Sequence, residues 1–200
     1  MYDTISIITN SNLSLGVGRV MSLISVNNLT FGYDGSYNNI FEDVSFNIDT
    51  DWKLGLIGRN GKGKTTFLKL LQGKYEYKGT IYKNVDVDYF PFEVTNKNRI
   101  SIEIVNEIAP NVADWEIIKE LNLLNSDTEI LYRNFNLLSG GEQIKILLIS
   151  LFLKGNNFLL IDEPTNHLDI ETRNNLVNYL EKKKGFILVS HDRNFLDKVV

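Results

Sequence analysis

The sequence predicts an α/β fold built on a mainly parallel sheet. Three observations lead there. Short apolar runs of strand length, "WKLGLIG", "FLLID" and "GFILVS", recur along the chain, and helical patterns stand between them. One of these runs empties into a glycine-rich loop and another into two adjacent acids, Asp162 and Glu163, followed by a proline. Two acids at the end of a buried strand are costly unless they meet a cation or have chemistry to do.

The 200 residues suit one domain with a small subdomain, enough chain for a real core. A composition of 43% hydrophobic and 23% charged residues is that of an ordinary globular protein. The net charge of −4 gives no electrostatic footprint for nucleic acid or an anionic membrane. Cysteine is absent, which excludes disulfides and thiolate metal sites and fits a cytoplasmic home. With only His167 and His191, a multi-histidine metal site is not expected. No apolar stretch reaches the length of about 20 residues that a membrane-spanning helix needs.

Residues 1–20 carry Asp3 and no basic start, so they do not read as a secretory signal. They are expected to form an extension outside the fold, with an added edge strand as the alternative; the folded unit is expected over 21–200. "LISVNNLTF" and "DVSFNID" read as strands joined by the turn residues "DGSYNN". "WKLGLIG" is a short strand, "TFLKLLQG" a helix that Gly73 stops, and "GTIY" and "VDVDYF" alternate as half-exposed strands. From Ile100 to Phe135 three helical patterns follow, "ISIEIVNEIA", "DWEIIKELNLL" and "SDTEILYRNF". "LSGGEQIKILLISLFL" opens a helix apolar on nearly all sides, hence buried. The strand Phe158 to Ile161 leads to the acids, and "ETRNNLVNYLEKKK" is a helix whose final lysines, Lys182 to Lys184, suit a solvated C-terminal turn. "GFILVS" is a strand, and "DRNFLDKVV" begins a last helix.

The chemistry concentrates in a few segments. Gly58, Arg59, Asn60, Gly61, Lys62, Gly63, Lys64 and Thr65, followed by Thr66, match G-x-x-x-x-G-K-[ST] in full, with a strand before and a helix after. Gly58, Gly61 and Gly63 let the backbone curl its N–H groups around a phosphate, and the helix beginning near Lys64 adds its positive end. Lys64 can reach the outer phosphates, and the Thr65 hydroxyl can ligate Mg²⁺. A Mg²⁺-nucleotide also needs a carboxylate near the metal and a group to orient the attacking water. Asp162 suits the first role and Glu163 the second. The plainer reading of Asp162 as a cap for the next helix stands beside it.

"LSGGEQ", set between this loop and "LLIDEP", resembles the signature of ATP-binding-cassette (ABC) proteins. The resemblance covers about Leu23 to Val200. It implies the ABC type of P-loop NTPase fold, with an antiparallel β subdomain and a small helical subdomain beside the parallel core. It also implies that Tyr33 in "FGYDG" stacks on adenine and that His191 in "VSHDR" meets the γ-phosphate, catalysis then resting on Glu163, His191 and Lys64. Taken alone, Tyr33 reads as a strand aromatic and His191 as a structural histidine. In the family, ATP lies between the phosphate loop of one cassette and the signature turn of another. Ser139, Gly140 and Gly141 would therefore serve a partner's site, and Ser139 is in any case a plain helix N-cap.

"EPTNHLD" and "SHDRNFLD" resemble the ABC-F branch, whose members carry two cassettes on one chain and no membrane domain. "TDWKLGLIGRNGKGKTT", "YFPF" and "LLIDEPTNHLD" look like the subgroup that protects ribosomes from lincosamide, pleuromutilin and streptogramin antibiotics. Two departures stand out. Phe92 occupies the place of a glutamine that in most cassettes helps hold Mg²⁺ and water, and an ABC-F protein is expected to continue past Val200 into a linker and a second cassette. The expectation is thus an ABC-F ATPase acting on the ribosome with a second cassette, ATP and Mg²⁺. The alternatives are the ATPase subunit of a membrane transporter and a catalytically silent nucleotide-binding fragment.

Overall fold

The computed structural model describes residues 6–9, 23–58, 61, 63–166 and 168–200. The strands are β1 (Ser6–Thr9), β2 (Leu23–Phe31), β3 (Phe41–Asp49), β4 (Lys53–Ile57), β5 (Lys78–Lys83), β6 (Asp86–Phe90), β7 (Asn157–Asp162) and β8 (Phe186–Val189). The helices are α1 (Lys64–Leu71), α2 (Ser101–Ile108), α3 (Asp114–Leu123), α4 (Gly140–Lys154), α5 (Ile170–Leu180) and α6 (Arg193–Val199).

One sheet has the order β1-β4-β8-β7-β6, and its last four strands run parallel. Its central strands are buried along almost their whole length, as the uninterrupted apolar runs "FLLI" and "FILV" require when both faces are covered. A second sheet, β3-β2-β5, is antiparallel and half-exposed. Two cores follow. One, with Phe67, Leu68 and Leu71, fills the space between the two sheets around α1; the other, with Ile146, Leu148 and Tyr179, lies on the opposite face beneath the helices.

Two sequence expectations change. Four residues of the expected N-terminal extension, Ser6–Thr9, pair antiparallel with β4, which is the edge-strand alternative. The rest of 1–20 lies outside the described residues. "SDTEILYRNF" contains a short 3₁₀ turn over Thr128–Tyr132 rather than an α-helix, opened by Asp127, whose carboxylate accepts from the Glu129 N–H. The interval from Phe92 to Leu138 is otherwise the compact helical lobe that was expected, with α2 and α3 packed on α4.

Candidate nucleotide-binding site

The parallel sheet delivers three chain segments to one edge. β4 ends at Ile57 and hands over to the glycine loop, β7 ends at Asp162, and β8 ends at Val189, two residues before His191. Because β7 lies beside β8, with Asp162 opposite Val189, the acids and the histidine arrive together. Lys64, Thr65, Asp162, Glu163 and His191 line one cavity of about 560 Å³, together with Gly61, Gly63, Tyr33 and Thr66.

The loop geometry explains its glycines. Gly63 precedes α1 with φ 94°, and a Cβ there would lie 2.5 Å from the Ile40 side chain, so only glycine fits. Gly61 is also left-handed, at φ 78°. Arg59, Asn60 and Lys62 lie outside the described residues. Lys64 is 6% exposed, and its Nζ donates to the Gly58 carbonyl at 2.6 Å, so the ammonium is folded back over the loop.

The acids are built differently from one another. Asp162 is buried, and its Oδ2 accepts the Thr65 hydroxyl at 2.7 Å and the Tyr89 hydroxyl at 2.8 Å. Its Oδ1 is buried with no partner among the described residues. A buried carboxylate oxygen left unpartnered is costly, and a cation or its bound water would relieve it. That orphan oxygen and the neighbouring hydroxyl fit a Mg²⁺ site, since Mg²⁺ favours one or two oxygen ligands beside substrate phosphates. Burial, with the adjacent Asp162 carboxylate, pushes the Tyr89 phenol well above its ordinary range, so it stays a donor.

Glu163 sits at φ 49°, unusual for a residue with a side chain. Its N–H donates to the Val189 carbonyl at 2.9 Å, which pins the turn to the end of β8. The strained turn sends the carboxylate out toward His191, whose Nδ1 lies 2.8 Å from Oε2. Asp162 is thus enclosed by hydroxyls, whereas Glu163 reaches the mouth of the cavity.

Tyr33 is 44% exposed at the cavity wall, edge-on to Phe31 and Tyr75. Its hydroxyl is 2.9 Å from Thr66 Oγ1, and that bond holds the phenol below its usual range despite an opposing contribution from burial. Ser139, Gly140 and Gly141 do not line the cavity. They open α4, where Ser139 accepts from the Glu142 N–H and the Glu142 side chain accepts in return from the Ser139 N–H. Gly141 faces Leu168 and Thr172.

A family model described as ABC transporter matches residues 41–166, which hold the glycine loop, the signature turn and both acids. The chain belongs to the ABC transporter family. This cassette is 33% identical over 187 residues to ABC transporter F family member 2 of Arabidopsis thaliana, covering 90% of this chain and 27% of that protein. It is 37% identical over 174 residues to ATP-binding protein Uup of Buchnera aphidicola subsp. Schizaphis graminum, covering 80% of this chain and 29% of that protein. The cassette therefore spans under a third of the length of these relatives. Among solved structures, a dimeric bacterial ABC transporter cassette superposes with a TM-score of 0.69 at 19% identity, over 88% of this chain and 90% of that one. The fold is that of the ABC-type P-loop ATPases.

Sequence reasoning missed four contributors to the cassette's site. Ile40, Asn166 and Val189 line the cavity, and Tyr89 holds Asp162. The alternation of "VDVDYF" marks a strand, but only the strand order, with β6 beside β7, reveals that Tyr89 meets the acid. Phe92, expected in the place of a metal-holding glutamine, packs against the helical-side core.

Proposed function

We propose that this chain is an ATP-hydrolysing cassette of the ABC-F type, working with a second cassette on the ribosome. The observation that carries the ATPase reading is the convergence of Lys64, Thr65, Asp162, Glu163 and His191 on one cavity. Lys64 and the N–H groups of the glycine loop bind the phosphates, and Tyr33 offers its ring to the adenine. Mg²⁺, held by Thr65 and Asp162, would neutralise charge on the β- and γ-phosphates. Glu163 orients a water whose oxygen bonds to the γ-phosphorus while the bond to the bridging oxygen breaks. The water proton passes toward the carboxylate, and ADP and phosphate leave. His191 holds Glu163 through its Nδ1 contact and meets the γ-phosphate.

Ser139, Gly140 and Gly141 lie away from this cavity, which supports a role at the site of another cassette. Paired closure around ATP, with reopening on hydrolysis, is then the working cycle. The ribosome reading rests on "EPTNHLD" and on relatives named for the F family. Among the described residues no helix is long and apolar enough to cross a membrane. Within that branch, protection of the ribosome from antibiotics is the finer role we propose.

The test is co-sedimentation of the complete two-cassette protein carrying Glu163→Gln with ribosomes. ATP-dependent association is expected; association that ignores ATP, or none, would reject the ribosomal role. ATP turnover by the same protein, lost in Lys64→Ala, tests the ATPase reading separately.

A further inference from the structure

Tyr89 takes no part in the motifs that define the site, yet its hydroxyl is one of two that fix Asp162. Its strand, β6, is the edge neighbour of β7, with Tyr89 paired to Leu160, two residues before the acid. From α1 the Thr65 hydroxyl reaches the same oxygen. Both donors therefore use Oδ2, and rotation of the carboxylate would break two hydrogen bonds at once. The buried Oδ1 is left in one place, with no partner among the described residues. The loop after β6 supplies no further polar group through Phe92, which packs into the core.

We propose that Tyr89 is a positioning residue for the metal site: it tethers Oδ2 of Asp162 so that the other carboxylate oxygen is pre-set to receive Mg²⁺ or a water bound to it. The assignment rests on the Mg²⁺-ATP reading of the cavity. It explains why a half-buried phenol stands at a sheet edge facing a carboxylate, where a phenylalanine would fill the space equally well. A partner that orients a metal ligand without touching the metal affects metal affinity first, and nucleotide affinity only through the metal.

Tyr89→Phe keeps the ring and removes the hydroxyl. Binding of a fluorescent ATP analogue to the 200-residue chain would be followed in EDTA and across a Mg²⁺ titration, with Mn²⁺ binding read by electron paramagnetic resonance. The Mg²⁺ and Mn²⁺ concentrations for half-saturation should rise about tenfold, while affinity in EDTA stays unchanged. In an Asp162→Asn background, the same substitution should add no further effect. Equal metal half-saturation in wild type and Tyr89→Phe would overturn the assignment, as would an equal loss of affinity in EDTA, which marks a packing role. A wild-type chain whose analogue binding ignores Mg²⁺ would instead overturn the reading of the cavity, and this assignment with it.

Discussion

Nδ1 of His191 lies 2.8 Å from Oε2 of Glu163, joining the loop after β8 to the turn after β7 at the mouth of the cavity. The histidine side chain is 62% exposed and the glutamate 20%, so the pair is open on the side where a triphosphate would enter. Glu163→Gln should keep ATP binding while lowering phosphate release by about 10²–10⁴-fold, the usual range for a lost general base. His191→Ala should act in the same direction. Turnover and analogue binding, measured on this cassette paired with a second one, check both; unchanged turnover in Glu163→Gln would remove the residue from the chemistry.

Lys64 is buried, and its ammonium donates to the Gly58 carbonyl. Saturation with ATP-Mg²⁺ at a hundred times Kd should stabilise the native state by about 2.7 kcal/mol. For a domain of this size that corresponds to a rise in melting temperature of roughly 5–10 °C. Lys64→Ala should erase the rise. Equal shifts in the two proteins would disprove phosphate recognition by this lysine.

Gly63 combines φ 94° with the Ile40 side chain where a Cβ would stand. Gly63→Ala should therefore lower stability by about 1–3 kcal/mol and weaken nucleotide binding as well. Urea unfolding together with analogue titration measures the two effects. A companion Ile40→Ala relieves the clash but not the dihedral strain, so only part of the loss should return.

A buried cluster couples the helical lobe to the core. Glu120 Oε2 on α3 accepts the Tyr179 hydroxyl at 2.5 Å and Lys183 Nζ at 2.5 Å, and the lysine ammonium also stands over the rings of Phe152 and Tyr179. Burial, reinforced by the Glu120 charge, holds the Tyr179 phenol well above its ordinary value of 10.0. The folded state thus keeps a proton that the unfolded chain releases first. Tyr179 contributes its full stability below about pH 10 and loses it as pH rises toward the higher folded value. Tyr179→Phe should cost about 1–2 kcal/mol at neutral pH and flatten this alkaline decline in urea midpoints.

Asp169 caps α5, accepting from the Thr172 N–H at 2.7 Å and the Thr172 hydroxyl at 2.9 Å. Those bonds hold its carboxyl below the usual range. The cap is intact above the ordinary carboxylate range and is lost as pH falls through the lowered folded value. Asp169→Asn keeps an acceptor, so its melting temperature should lose this acid-side dependence while changing little at pH 7.

Periodicity and punctuation carried most of the architecture. Three of the four parallel strands, β4, β7 and β8, are apolar runs bounded by turns, and Gly73, Ser139 and Asp192 mark helix ends as capping chemistry dictates. The site was legible because its groups sit in short contiguous motifs at strand ends. Tyr89 was not, because its role depends on which strand neighbours β7, a non-local fact. Lys183 read as part of a solvated lysine run, yet it reaches a buried carboxylate 63 residues earlier in the chain. The Thr128–Tyr132 turn is too short for a helical pattern to be told from a 3₁₀ one.

The contact between Glu120 and Lys183 has a mechanical corollary. It fastens α3 near one end, so a swing of that helix about this contact would sweep its widest arc at the opposite end. Trp115 stands at that far end, 64% exposed, where its indole emission would act as a built-in goniometer for rotation of the lobe.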